Sequence, residues 1–145
     1  MPANEEHYRR LERMYHAAPI NRYFRPTLSV SSAAATILLP VRPEFFHAAH
    51  AVHGSVYFKA LDDAAFFAAN SLVPDVFVLT ASYNLYLTRP VSEGTLRAEG
   101  RVVHRSRSLF LAEAELFDSD DRQVGRGSGS FMRSTIALTP DVGYL

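Results

Sequence analysis

Residues 51–70, AVHGSVYFKALDDAAFFAAN, limit the possible folds of this chain more than any other stretch. They read as a helix over roughly 54–70, and the only charges are Lys59, Asp62 and Asp63. A helix that is apolar on most sides has to be covered on most sides. The remaining sequence offers mainly strands for that purpose. Residues 27–39, TLSVSSAAATILL, are rich in β-branched and small residues and read as one strand. After Pro74 the period becomes two: Phe77, Leu79, Ala81, Tyr83, Leu85 and Leu87 alternate with Thr80, Ser82, Asn84, Tyr86 and Thr88. The first set is expected on the core face and the second on the polar face. RPVSEG reads as a turn, TLRAEGRVVHR and SLFLAEAELFD as strands, and DSDDRQ as a hairpin turn. VGRGSGSFMR is a final strand, and its glycines imply close approach by another backbone or a ligand.

This order of elements predicts an α+β chain in which one curved antiparallel sheet wraps around a long central helix. A single domain over 1–145 suits the length. An amphipathic N-terminal helix falls within 1–20, with Asn4 as cap, Leu11, Met14 and Tyr15 spaced to share one face and Pro19 beyond its end, and 134–145 reads as an irregular tail. Lys+Arg and Asp+Glu both total 15, a balance that argues against general nucleic-acid binding. There is no cysteine, which excludes disulfides, thiolate metal sites and a cysteine nucleophile. No long apolar run suggests a membrane span, and a cytoplasmic protein is expected. HAAHAVH spaces His47, His50 and His53 three apart, but no carboxylate or cysteine completes a zinc pattern, so no metal site is expected. GRGSGS lacks the Lys-Ser/Thr of a phosphate loop, and GSGSF is not a nucleophile elbow.

Over about residues 28–133 the chain resembles the hotdog-fold acyl-CoA thioesterases, in particular the PaaI-like (phenylacetate-pathway) group. His53–Gly54 matches the start of the family's His-Gly-Gly, and Asp62 falls nine residues after His53, where the family carries its acid. Thr80, ten residues before Pro90, and Asn84 match the family's next strand, and RPVSEGTLRAEGRVVHRSRS resembles the segment after it. The sequence departs from the pattern at three positions. His47 replaces the family Asn, His50 a Gly, and Ser55 the second Gly of His-Gly-Gly.

The resemblance implies a hotdog fold and thioester hydrolysis at a homodimer interface, where Asp62 of one subunit faces the His53–Gly54 turn of the other. Dimers could pair into tetramers. Asp62 is the candidate base or nucleophile, because burial in an apolar helix raises a carboxyl pKa toward neutrality. Unpaired N–H groups at a helix start suit a developing oxyanion, and Gly54 permits close approach. His53 would shape that turn, His47 would stand in for the Asn, and Thr80 would hold the attacking water. Ser55, Asn84, Arg89, Arg105 and Arg107 are candidate substrate contacts, the arginines (with Arg133) for CoA phosphates. No cofactor is expected beyond the CoA carried by the substrate. Phe45, Phe46, Phe66 and Phe67 are either acyl-pocket lining or core, and the acyl group is aryl or aliphatic. Lys59 could instead simply pair with Asp62 or Asp63 at the surface. Two other functions stay open: a binding protein for acyl-CoA without turnover, and a hotdog hydratase or dehydratase.

Overall fold

The structure, a computed structural model, describes residues 3–145. Helix α1 (Ala3–Ala17) is followed by a short α2 (Pro19–Phe24), and α3 spans Gly54–Asn70. The strands are β1 (Thr27–Ser31), β2 (Ala34–Pro40), β3 (Val76–Leu87), β4 (Thr95–Arg105), β5 (Leu109–Phe117) and β6 (Gln123–Ala137). They form one antiparallel sheet in the order β1-β2-β4-β5-β6-β3. The sheet packs around α3, as the all-round apolarity of that helix requires.

The core interleaves small and large residues from both the helix and the sheet. Ala60, Ala64, Ala65, Ala68 and Ala69 of α3 are buried, as are Ile37, Leu39, Leu96, Leu116 and Phe131 of the strands. The closest approach is at Gly100 of β4, where an added Cβ would lie 2.4 Å from the Ala64 carbonyl. At the far end of α3, fully buried Asn70 ties the helix to the strand that follows. Its Nδ2 donates to the carbonyls of Val73 and Val76, both at 3.1 Å, and its Oδ1 accepts from the Val78 N–H at 3.0 Å. His7 of α1 is buried against the same place, with Nε2 2.9 Å from the Asn70 carbonyl and Nδ1 2.7 Å from the Tyr144 hydroxyl.

The sheet differs from the sequence reading in several places. The single strand expected over 27–39 is a hairpin, turning at Ala33 with φ 58°. Left-handed backbone at an alanine leaves no Gly or Asn signal in SSAAA. Pro19 does end the first helix, but it also opens α2 as its first residue. RPVSEG is not a turn between paired strands: β3 pairs with β6, so this segment crosses from the sheet edge to β4 in its interior. The tail begins later than 134, because β6 runs to Ala137 before a 3₁₀ turn at Pro140–Val142.

The alternation expected in β3 does not persist. Val78 is fully buried, whereas Leu79 is 47% exposed. An irregularity in the pairing with β6 between Thr80 and Ser82 then shifts the parity. Thr80 shares the parity of Val78 and faces α3, while beyond the irregularity Ser82, Asn84 and Tyr86 are exposed, the face on which the alternation placed them. The β6 glycines are approached by the neighbouring backbone, as expected, and also by a side chain: added Cβ atoms at Gly127 and Gly129 would meet the Asn84 and Ser82 carbonyls at 2.8 and 2.6 Å and the Tyr83 ring at 2.5 and 2.4 Å.

Because the Gly100 obstacle is helix backbone, Gly100→Ala should force α3 and β4 apart. The expected loss is about 1–3 kcal/mol in urea unfolding. An unchanged midpoint would show that the helix rides more loosely than this contact indicates.

Candidate active site

Two adjacent carboxylates of α3 have different environments. Asp62 Oδ1 accepts a hydrogen bond from Thr80 Oγ1 at 2.9 Å, and among the described residues Oδ2 has no partner. Asp63 Oδ2 is held by the Tyr15 hydroxyl of α1 at 2.7 Å and by Lys59 Nζ at 2.8 Å. The Lys59–Asp63 pair is largely buried, with side chains 12% and 18% exposed, so it is not the surface pair that i,i+4 spacing alone suggests. Asp62 thus faces the cleft with Oδ2 unpartnered, while Asp63 and its partners fix α1 beside it.

Burial pushes the Asp62 carboxyl up to about 6, the Thr80 hydrogen bond opposes this, and the nearby Asp63 charge adds to it. Tyr15 is raised beyond the range of any ordinary titration by burial and by Asp63, so it remains a hydrogen-bond donor. Asp62, Asp63 and Thr80 border a cleft of about 280 Å³ whose apolar walls include Met14, Phe66, Phe67, Phe77 and Leu79. Of the four phenylalanines considered from sequence, Phe66 and Phe67 line this cleft, and Phe45 instead stacks on Phe24.

The His-Gly turn lies at the start of the same helix. His53 caps it: its Nδ1 accepts from the Ser55 N–H at 3.0 Å and lies 2.8 Å from Ser55 Oγ. Gly54 follows as the first helical residue, and among the described residues its N–H has no hydrogen-bond partner. His47, Gly54, Tyr57 and Arg89 line a second groove of about 440 Å³ there. The His47 ring is turned back on its own loop, with Nδ1 accepting from the Ala49 N–H at 3.1 Å.

Within one chain the structure brings Asp62 and Thr80 together, and separately His47, Gly54 and Arg89. Asp62 lies eight residues from Gly54 along α3, an axial rise of about 12 Å. Asn84 does not join Thr80, because the β3 irregularity turns it to the opposite face. Arg105 and Arg107 are exposed at the β4–β5 turn, and Arg133 is paired with Asp75 at 2.6 Å. The sequence reading missed Tyr15, Met14 and Phe77 as parts of the site. Met14 and Tyr15 were recognised only as one apolar helix face, and only the packing of α1 brings them to Asp62.

Folding holds the Asp62 proton more tightly than the unfolded chain, where the ordinary value is 3.8. The resulting stability is fully present below pH 3.8 and is lost as pH rises through about 6. Asp62→Asn cannot ionise and still accepts from Thr80. It should be more stable than the parent by about 2 kcal/mol near pH 8, with the difference closing near pH 4, in urea titrations at both values. A constant difference at the two pH values would contradict the raised pKa.

Comparison with known proteins identifies the family and the fold. The family model described as the thioesterase superfamily matches residues 49–125, just over half of the chain. “Putative esterase SSO2140” of Saccharolobus solfataricus is 21% identical over 104 residues, covering 72% of this chain and 74% of that protein. The E. coli PaaI protein from the phenylacetic acid degradation operon superposes with a TM-score of 0.85 at 18% identity, covering 94% of this chain and 99% of that one. A mutant PaaI from Thermus thermophilus gives 0.73 at 19% identity, covering 81% and 100%. These structures share the hotdog fold.

Proposed function

The chain belongs to the thioesterase superfamily, and from that premise we propose that it hydrolyses acyl-CoA thioesters at a site shared between two copies of itself. One observation carries the reading: a half-buried carboxylate, held by a neighbouring hydroxyl, borders an apolar cleft with its second oxygen unpartnered. The name of the Saccharolobus relative supports ester hydrolysis more generally.

In this reading Thr80 fixes Oδ1 and leaves Oδ2 of Asp62 for water. With a pKa near 6, Asp62 is ionised at neutral pH and is a stronger base than an ordinary carboxylate. It takes a proton as the water oxygen bonds to the thioester carbon. The carbonyl oxygen gains negative charge, and the free Gly54 N–H donates to it. When the C–S bond breaks, the proton passes to the departing CoA thiolate, giving free acid and thiol. Direct attack by Asp62, followed by hydrolysis of the anhydride, satisfies the same geometry.

The axial separation of Asp62 and Gly54 supports completion of each site by a second subunit. The long edge strand β3 has one side unpaired and offers a surface for joining the two sheets. Arg89, beside Gly54, is the arginine best placed for the CoA moiety. Ser55, His53 and His47 shape the turn.

Binding without turnover remains the second reading, and a specific contact favours it: the His53 ring occupies the Ser55 N–H, which removes one donor from the turn.

Thiol release from a panel of acyl-CoAs tests the main reading. Asp62→Asn should lower kcat by about 10²–10⁴-fold, and the parent rate should rise through about pH 6 as Asp62 ionises. Ester binding without release of thiol would favour the second reading. A shared site adds a subunit-mixing test. Asp62→Asn and Gly54→Val should each be inactive, yet co-refolded mixtures should recover about a quarter of parental activity, since half the dimers carry one intact site. A mixture as inactive as its components would confine the site to one chain.

A further inference from the structure

The apolar cleft beside Asp62 does not end at its inner wall. Met14, Ala18 and Phe77 line that cleft and also a second one, of about 440 Å³, which continues along Ala17, Ile136 and Val142. The far cleft is formed by the end of α1, the end of β6 and the C-terminal turn, all outside the family-matched residues 49–125.

The far cleft is held in place by the tail. The Tyr144 hydroxyl meets buried His7 at 2.7 Å, and Arg13 Nε donates to the Leu145 carbonyl at 2.6 Å. Gly143 (φ 87°) brings the tail against Met14, where an added Cβ would lie 3.4 Å from the Met14 Cα. Met14 and Phe77 line both clefts and so stand between them, and a methionine side chain is adaptable enough to let a chain pass.

We propose that the second cleft is the distal acyl subsite, so that the acyl chain runs from Asp62 over the Met14–Phe77 saddle and ends beside Ile136 and Val142. This inference rests on the hydrolysis reading and names its substrate class: long, unbranched fatty acyl thioesters. A compact acyl group would fill only the near cleft. A chain ending in carboxylate is disfavoured, because Asp141 borders the far end.

The test compares hexanoyl-, decanoyl-, tetradecanoyl- and phenylacetyl-CoA as substrates of the parent, Ile136→Asp and Ala17→Phe. Both substituted positions are exposed and border only the far cleft, and thermal unfolding checks that the variants remain folded. Each methylene buried in an apolar site is worth about fourfold, so parental kcat/KM should favour tetradecanoyl over hexanoyl by about tenfold or more. Both variants should reduce that ratio by about tenfold. A parental optimum at hexanoyl or phenylacetyl, or a ratio that both variants leave unchanged, overturns the subsite.

Calorimetry with free tetradecanoate and hexanoate decides the matter without turnover. Tighter binding of tetradecanoate that Ile136→Asp weakens supports the subsite, even if no ester is hydrolysed and the enzymatic reading fails. Equal affinity for the two acids overturns it.

Discussion

The structure depends on the close seating of α3 against the sheet. The helix presents alanines where a typical core helix presents leucines, and Gly100 of β4 leaves room for the Ala64 carbonyl. A helix seated this closely cannot rotate or slide without overlap, because packed interiors resist small displacements. Everything projecting from α3 inherits that definition, including the two carboxylates that look out of place in an apolar segment. One carboxylate borders the apolar cleft, held there by the Thr80 hydroxyl. The other, through Tyr15 and Lys59, holds the N-terminal helix beside it.

The helix and most of the sheet were legible in the sequence because their signals are local. All-round apolarity required a wrapping sheet, and the segments that became β4, β5 and β6 read as strands separated by turn signals. Asp62 was legible through its spacing from His53, and Thr80 through its place before Pro90. What could not be read depends on backbone geometry or on contacts distant in sequence. The β1–β2 turn uses left-handed alanine, which carries no residue signature. The irregularity between Thr80 and Ser82 splits the faces of β3, so the expected alternation is reversed at Val78 to Thr80 and holds from Ser82 to Tyr86, which leaves Asn84 on the face away from Thr80. The contacts of Tyr15 and Met14 with the cleft join positions far apart along the chain, so helical spacing revealed their shared face but not its neighbour.

The start and the middle of α3 carry complementary chemistry. Its start presents a free N–H at Gly54, next to a histidine cap and Arg89. Its middle presents a carboxylate beside greasy walls. A helix is rigid, so these functions stay about 12 Å apart in any one chain. In the proposed shared site, two such helices running in opposite directions would each provide what the other lacks. The N-terminal helix and the C-terminal turn add walls around the clefts on the carboxylate side.

Asn70 gives this arrangement a mechanical character. Its carboxamide joins the last turn of α3 to the first residues of β3, just before the strand reaches Thr80. The acid belongs to the helix and its hydroxyl partner to the strand, so this one buried side chain acts as the gauge that sets their separation. Damage to it would reach the chemistry as misalignment, in a molecule whose reacting groups were all still present.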